Sequence, residues 1–104
     1  MLEITPENFQ EEVKSCEELV VVDFWAPWCG PCKMYGPIFE TADGSVDGVK
    51  FAKLNVDEWT EGATFYNVQS IPTTLFVKDG EEVGRLVGIQ SVEDIQNACE
   101  KYLD

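Results

Sequence analysis

A chain of 104 residues, 44% hydrophobic and 26% charged, has the length and composition of one folded domain, expected to span residues 1–104 and to bury a core without staples. Its 20 Asp and Glu against 7 Lys and Arg give a formal charge of −13, which repels phosphate backbones and anionic lipid and excludes nucleic acid and membrane surfaces as expected partners. The absence of histidine removes Cys–His and Ser–His–Asp nucleophiles, histidine-containing zinc sites and c-type haem attachment, which needs a histidine where Lys33 stands.

Leu2–Ile4 allows a very short strand. Thr5-Pro6-Glu7 then reads as a helix N-cap, a proline at the first helical position and an acid in the first turn. The helix is expected to run to about Ser15, with Phe9 and Val13 at helical spacing. Leu19 to Trp25 is nearly all apolar and β-branched, the pattern of a strand covered on both faces. A helix follows from Cys29 or Pro31 to about Ala42, with Pro37 inside it. That proline removes one backbone hydrogen bond and predicts a kink near Lys33. Asp43-Gly44 is expected to end this helix early, and Gly44 and Gly48 mark the loop out.

Val49 to Val56 is expected as a strand and Trp59 to Tyr66 as a short helix. Thr73–Lys78 and Glu82–Val87 flank Asp79-Gly80, a strong hairpin signal. Ser91 caps a last helix that carries Val92, Ile95, Cys99 and Leu103 on one stripe. The order predicts an α/β sandwich. Its central mixed sheet has four or five strands, with parallel crossovers first and one antiparallel hairpin last, flanked by four helices. Met1–Glu7 has neither a basic n-region nor an apolar h-region, and no apolar run approaches a membrane span. A cytoplasmic chain is therefore expected.

Four cysteines, at positions 16, 29, 32 and 99, are too few and too unevenly spaced for a secreted disulfide framework. Cys29-Gly30-Pro31-Cys32 is different. It follows an apolar strand and opens a helix, which puts both sulfurs on one turn, close enough to form a disulfide and to break it. The helix N-terminus favours a thiolate there. Two thiols so placed are a redox pair. Cys99, on an apolar stripe, is expected to be a buried small hydrophobe. Cys16, beside Glu17 and Glu18, sits in a field that disfavours a thiolate. The two are expected on opposite faces of the sheet, without a disulfide between them.

The likeness extends well beyond these four residues. Trp28-Cys29-Gly30-Pro31-Cys32-Lys33, Asp23 in the preceding strand, Pro37, Lys53-Leu54-Asn55, Ile71-Pro72-Thr73 and Gly88 recur in order, so nearly the whole chain resembles the thioredoxin family. The resemblance implies a protein-disulfide reductase that uses a Cys29–Cys32 disulfide, needs no bound cofactor and acts as a monomer. Its partners would be disulfide-containing proteins and a separate thioredoxin reductase, NADPH–flavin or ferredoxin-linked.

It also implies roles by residue. Cys29, with its sulfur towards solvent, would attack, and Cys32 would resolve the mixed disulfide. Asp23 is an acid among apolar neighbours, so desolvation should raise its pKa and fit it to take a proton from Cys32. Lys53 would be its charged neighbour. Ile71-Pro72 would be a cis peptide, and Trp28, Gly30, Pro31, Ile71, Pro72, Val87 and Gly88 would form a flat apolar surface for extended substrate segments. Trp25 is expected in the core. Tyr35-Gly36 departs from the usual aliphatic-plus-alanine pair, at a helix cost of about 1 kcal/mol for the glycine.

Rival readings remain. A disulfide oxidant or isomerase would favour a histidine between the cysteines, and Gly-Pro stands there. A glutaredoxin-like role lacks a basic patch for glutathione carboxylates. A structural zinc site needs about four ligands, and no second pair supplies them. A redox-inert binding subunit would use only the apolar surface.

Overall fold

The computed structural model describes residues 1–103. Five strands form one mixed sheet in the order β1-β3-β2-β4-β5: β1 (Leu2–Glu3), β2 (Leu19–Trp25), β3 (Val49–Asn55), β4 (Thr73–Lys78) and β5 (Glu81–Val87). β2 and β3 run parallel, and β4 joins the far side of β2 antiparallel. A strand between two neighbours under two helical layers must be apolar on both faces, and Leu19 to Phe24 are all buried.

Alternation along β2 divides the core. Val20, Val22 and Phe24 face Ile4, Val13, Leu54 and Leu75, beneath the N-terminal helical turn (Gln10–Lys14) and α2 (Thr60–Phe65). Leu19 and Val21 face Tyr35, Phe39, Ile95 and Cys99, from α1 (Gly30–Ala42) and α3 (Val92–Leu103). The helices therefore cover the two faces of the sheet, as the element order predicts. Cys16 packs on the first face and Cys99 within the second. The sheet lies between them, and both thiols are free.

The N-terminal helical segment differs from its α-helical expectation. Gln10–Lys14 is π-helical, closed by a Ser15 N–H to Gln10 O bond of 2.8 Å. Gln10 Nε2 also donates to Ser15 Oγ at 2.9 Å, which clamps these two residues in the wider register. The helical segment is capped at Phe9 rather than at Thr5; Thr5 begins the turns that lead into it, its N–H donating to Asn8 Oδ1 at 2.8 Å and its carbonyl accepting the Phe9 N–H at 3.0 Å.

α1 continues through Pro37 to Ala42, although the missing N–H leaves the Lys33 carbonyl without its helical donor. At α3, Asp94 N–H donates to Ser91 Oγ at 3.0 Å and Ser91 N–H to Asp94 Oδ2 at 3.1 Å, a reciprocal capping box. The β4–β5 turn has Asp79 at φ 54° and Gly80 at φ 81°, the left-handed pair that a two-residue hairpin needs.

Candidate active site

The chain leaves the C-terminal end of β2 at Trp25 and enters α1 at Gly30. Cys29 is the N-cap of α1, with extended backbone, and its Sγ accepts the Cys32 N–H at 3.2 Å. A helix start offers unpaired N–H groups and partial positive charge, so negative charge on this sulfur is favoured. Pro31 sits within the first two helical positions, where its missing N–H removes nothing the helix uses. Cys29 and Cys32 are joined by a disulfide across a Cα–Cα distance of 5.2 Å.

In this oxidised form the two sulfurs do not differ in access. Cys29 is 5% and Cys32 4% exposed, because Trp25, Ala26, Val56 and Ile71 pack around the pair. The solvent-facing sulfur expected for Cys29 is therefore covered. Position in the helix distinguishes the cysteines: one caps α1 and the other lies inside its first turn.

Asp23 is fully buried, on the same face of β2 as Leu19 and Val21. Among the described residues neither carboxylate oxygen has a hydrogen-bond partner. Burial pushes its pKa up to about 7, against the lowering charge of Lys53 and with a smaller push from Glu3. Lys53 is its register partner on β3, yet the ammonium does not close onto the carboxylate. Lys53 Nζ lies 4.0 Å from Glu40 Oε2 and 4.9 Å above the Trp25 ring. A Cβ added at Gly36 would stand 3.8 Å from Nζ, so that glycine lies directly under the ammonium. Trp25 is half-buried rather than fully in the core, with its outer ring face given to Lys53.

Across the site Ile71-Pro72 is a cis peptide, and Ile71 O is 3.9 Å from Cys29 Sγ. Gly88 N–H donates to Pro72 O at 2.8 Å, which ties the end of β5 to this loop. Trp28 and Val87 are exposed at 68% and 59%, and Gly30 and Pro31 are also exposed. Ile71 and Gly88 are half-buried, and Pro72 is buried, so Pro72 supports the surface more than it presents itself. Ile89, also exposed, extends the apolar patch and was not among the residues expected from sequence.

Sequence reasoning also missed what holds Trp28. Its indole N–H donates to Asp57 Oδ1 at 3.0 Å, and Asp57 N–H donates to Asn55 Oδ1 at 2.9 Å. Beside it runs a groove of about 350 Å³, walled by Trp28, Asp57, Thr60, Ala63, Val68 and Ile71. The α2 wall of that groove carries no chemical motif, so no sequence signal marks it.

The Thioredoxin family model matches residues 1–101. The chain belongs to the thioredoxin family. It is 44% identical over 104 residues to a thioredoxin of Bacillus subtilis, covering 99% of this chain and 98% of that protein. A Staphylococcus saprophyticus thioredoxin is 43% identical over the same coverage. Among solved structures, a mutant thioredoxin from Halobacterium salinarum superposes with a TM-score of 0.88 at 35% identity, covering 99% of this chain and 90% of that one. The Malassezia sympodialis thioredoxin gives 0.84 at 35% identity, with 96% and 90% covered. With the Cys29–Cys32 pair at disulfide distance, family membership makes the chain a protein-disulfide oxidoreductase, a dithiol electron carrier acting by thiol–disulfide exchange. Disulfide-containing proteins are its substrates, and a thioredoxin reductase is its general partner.

Proposed function

We propose that the carrier works as a reductant, with Cys29 attacking and Cys32 resolving. The Cys29 thiolate attacks one sulfur of a substrate disulfide. A mixed disulfide forms, and the other substrate sulfur leaves as a thiolate. Cys32 then gives its proton to the Asp23 carboxylate and attacks Cys29 Sγ. The Cys29–Cys32 disulfide closes, the mixed disulfide breaks, and the substrate departs with two electrons and two thiols after protonation. The observation that carries the order is the Cys29 Sγ at the helix cap, receiving the Cys32 N–H. A group with pKa near 7 is divided between acid and base at neutral pH, which suits Asp23 to take up and return this proton. Lys53 makes its ionised form accessible.

Extended substrate segments would lie along Trp28, Gly30, Pro31, Ile71, Val87 and Gly88, with Pro72 behind the loop. We assign the chain to the cytoplasm as a single-domain monomer over residues 1–104. Its free Cys16 and Cys99 suit a reducing compartment. A separate NADPH–flavin or ferredoxin-linked reductase returns the disulfide to the dithiol. Insulin disulfide reduction by dithiothreitol tests the reading: the wild-type chain should accelerate it, and Cys29→Ser and Cys32→Ser should not sustain turnover. Equal rates for all three would sink it.

A further inference from the structure

Tyr35 carries a hydroxyl into the buried layer beneath α1, and that hydroxyl has a specific partner. Tyr35 Oη lies 2.6 Å from Thr74 Oγ1, and both side chains are completely buried. Thr74 is the register partner of Asp23 across β2 and β4. Directly opposed residues leave the same face of a sheet with Cβ atoms about 5 Å apart. Tyr35 stands three residues beyond Cys32 on α1 and packs onto that same face. Three buried polar groups thus share one face of an otherwise apolar layer, and one of them, Asp23, has no hydrogen-bond partner among the described residues. A buried carboxylate without donors is costly when ionised.

We propose that Tyr35 and Thr74 are positioning residues for the exchange reaction, a two-hydroxyl donor chain that turns to Asp23 when it ionises and sets how readily it does so. This rests on the reading that Asp23 takes the Cys32 proton. A phenol is a stronger donor than an alcohol, so Tyr35 O–H donates to Thr74 Oγ1 and leaves the Thr74 proton free. Rotation about the Asp23 Cα–Cβ bond brings the carboxylate to that proton. When Asp23 is neutral again, the contact releases. The hydroxyls keep their protons throughout; only hydrogen bonds change.

The charged groups around the cluster are few. Lys53 on β3 lowers the Asp23 pKa and Glu3 on β1 raises it, while Glu40 on α1 draws the Lys53 ammonium outward. Burial, with lesser pushes from Asp23, Cys99 and Asp94, raises the Tyr35 phenol far above its ordinary value despite the Thr74 bond. Tyr35 therefore stays a donor across the whole working pH range.

The test is a pH titration of the Asp23 side-chain carboxyl by 13C NMR, with resolution rates followed in parallel. Thr74→Val should raise the Asp23 midpoint by about one pH unit, a tenfold change in its ionisation. Thr74→Ser should restore it. Tyr35→Phe, which keeps the ring, should raise it by roughly half as much, since Thr74 loses the donor that orients it. An unmoved midpoint in Thr74→Val and Tyr35→Phe overturns the proposal, as does an equal shift in Thr74→Val and Thr74→Ser. If the midpoint moves while the resolution profile stays put, the hydroxyl chain stands and the proton role of Asp23 falls.

Discussion

A carboxylate inside the sheet face makes Asp23 the residue where stability and chemistry conflict. Its folded pKa of about 7 stands above the ordinary value of 3.8, so between these values the folded chain holds a proton that the unfolded chain has released. The neutral form is tolerated at low pH, and stability is lost progressively as pH rises above 3.8 and through 7. The shift corresponds to something on the order of 4 kcal/mol at full ionisation. Asp23→Asn should therefore stabilise the fold by several kcal/mol at pH 8 and by little at pH 4.5, read as the difference from wild type in urea unfolding. Equal differences at both pH values would contradict the burial account. The same variant should slow mixed-disulfide resolution more than its formation. Lys53 acts in the other direction. Lys53→Met removes the charge that lowers the Asp23 pKa, so the carboxyl resonance should titrate above 7, and an unchanged midpoint would remove Lys53 from the site. A lone acid in an apolar strand made Asp23 legible in the sequence. The Glu40 partner of Lys53 was not legible, because a lysine stem can aim its ammonium in several directions and only packing fixes which.

Hydrogen-bond register decides where local pattern and element part company. The apolar period placed β2, β3, the hairpin and α3 to within about a residue at each end, since burial on one or two faces fixes period and extent together. The π-helical register at Gln10–Lys14 has no such signature, because it depends on the side-chain bond between Gln10 and Ser15. The α2 wall of the groove was equally silent, since Thr60, Ala63 and Thr64 matter there by position alone. Two glycine substitutions separate backbone need from propensity. Gly80 sits at φ 81°, and an added Cβ would stand 2.6 Å from Lys14 O, backbone that cannot give way. Gly80→Ala should cost about 2 kcal/mol. Gly36→Ala meets only ordinary contact and should gain up to about 1 kcal/mol from helix propensity. Thermal melts of the two variants check the opposite signs, and a shared sign would refute this account of the glycines.

For the molecule as a whole, the charge of −13 opposes compactness by self-repulsion and leaves solubility high. Salt screens that repulsion, so the urea midpoint should rise as salt is raised from about 20 to about 300 mM. A fall would show that favourable ion pairs outweigh repulsion. The sheet brings the two sulfurs, the buried acid and the cis-proline loop to one end of the molecule, where electrons are exchanged. Trapping the mixed disulfide reads that exchange as a covalent product. Cys32→Ser, incubated with a disulfide-bonded protein and run on a non-reducing gel, should accumulate a covalent adduct through Cys29, while Cys29→Ser should accumulate none. An adduct formed by Cys29→Ser through Cys32, or none by either variant, would contradict the assignment of attack to Cys29 and resolution to Cys32.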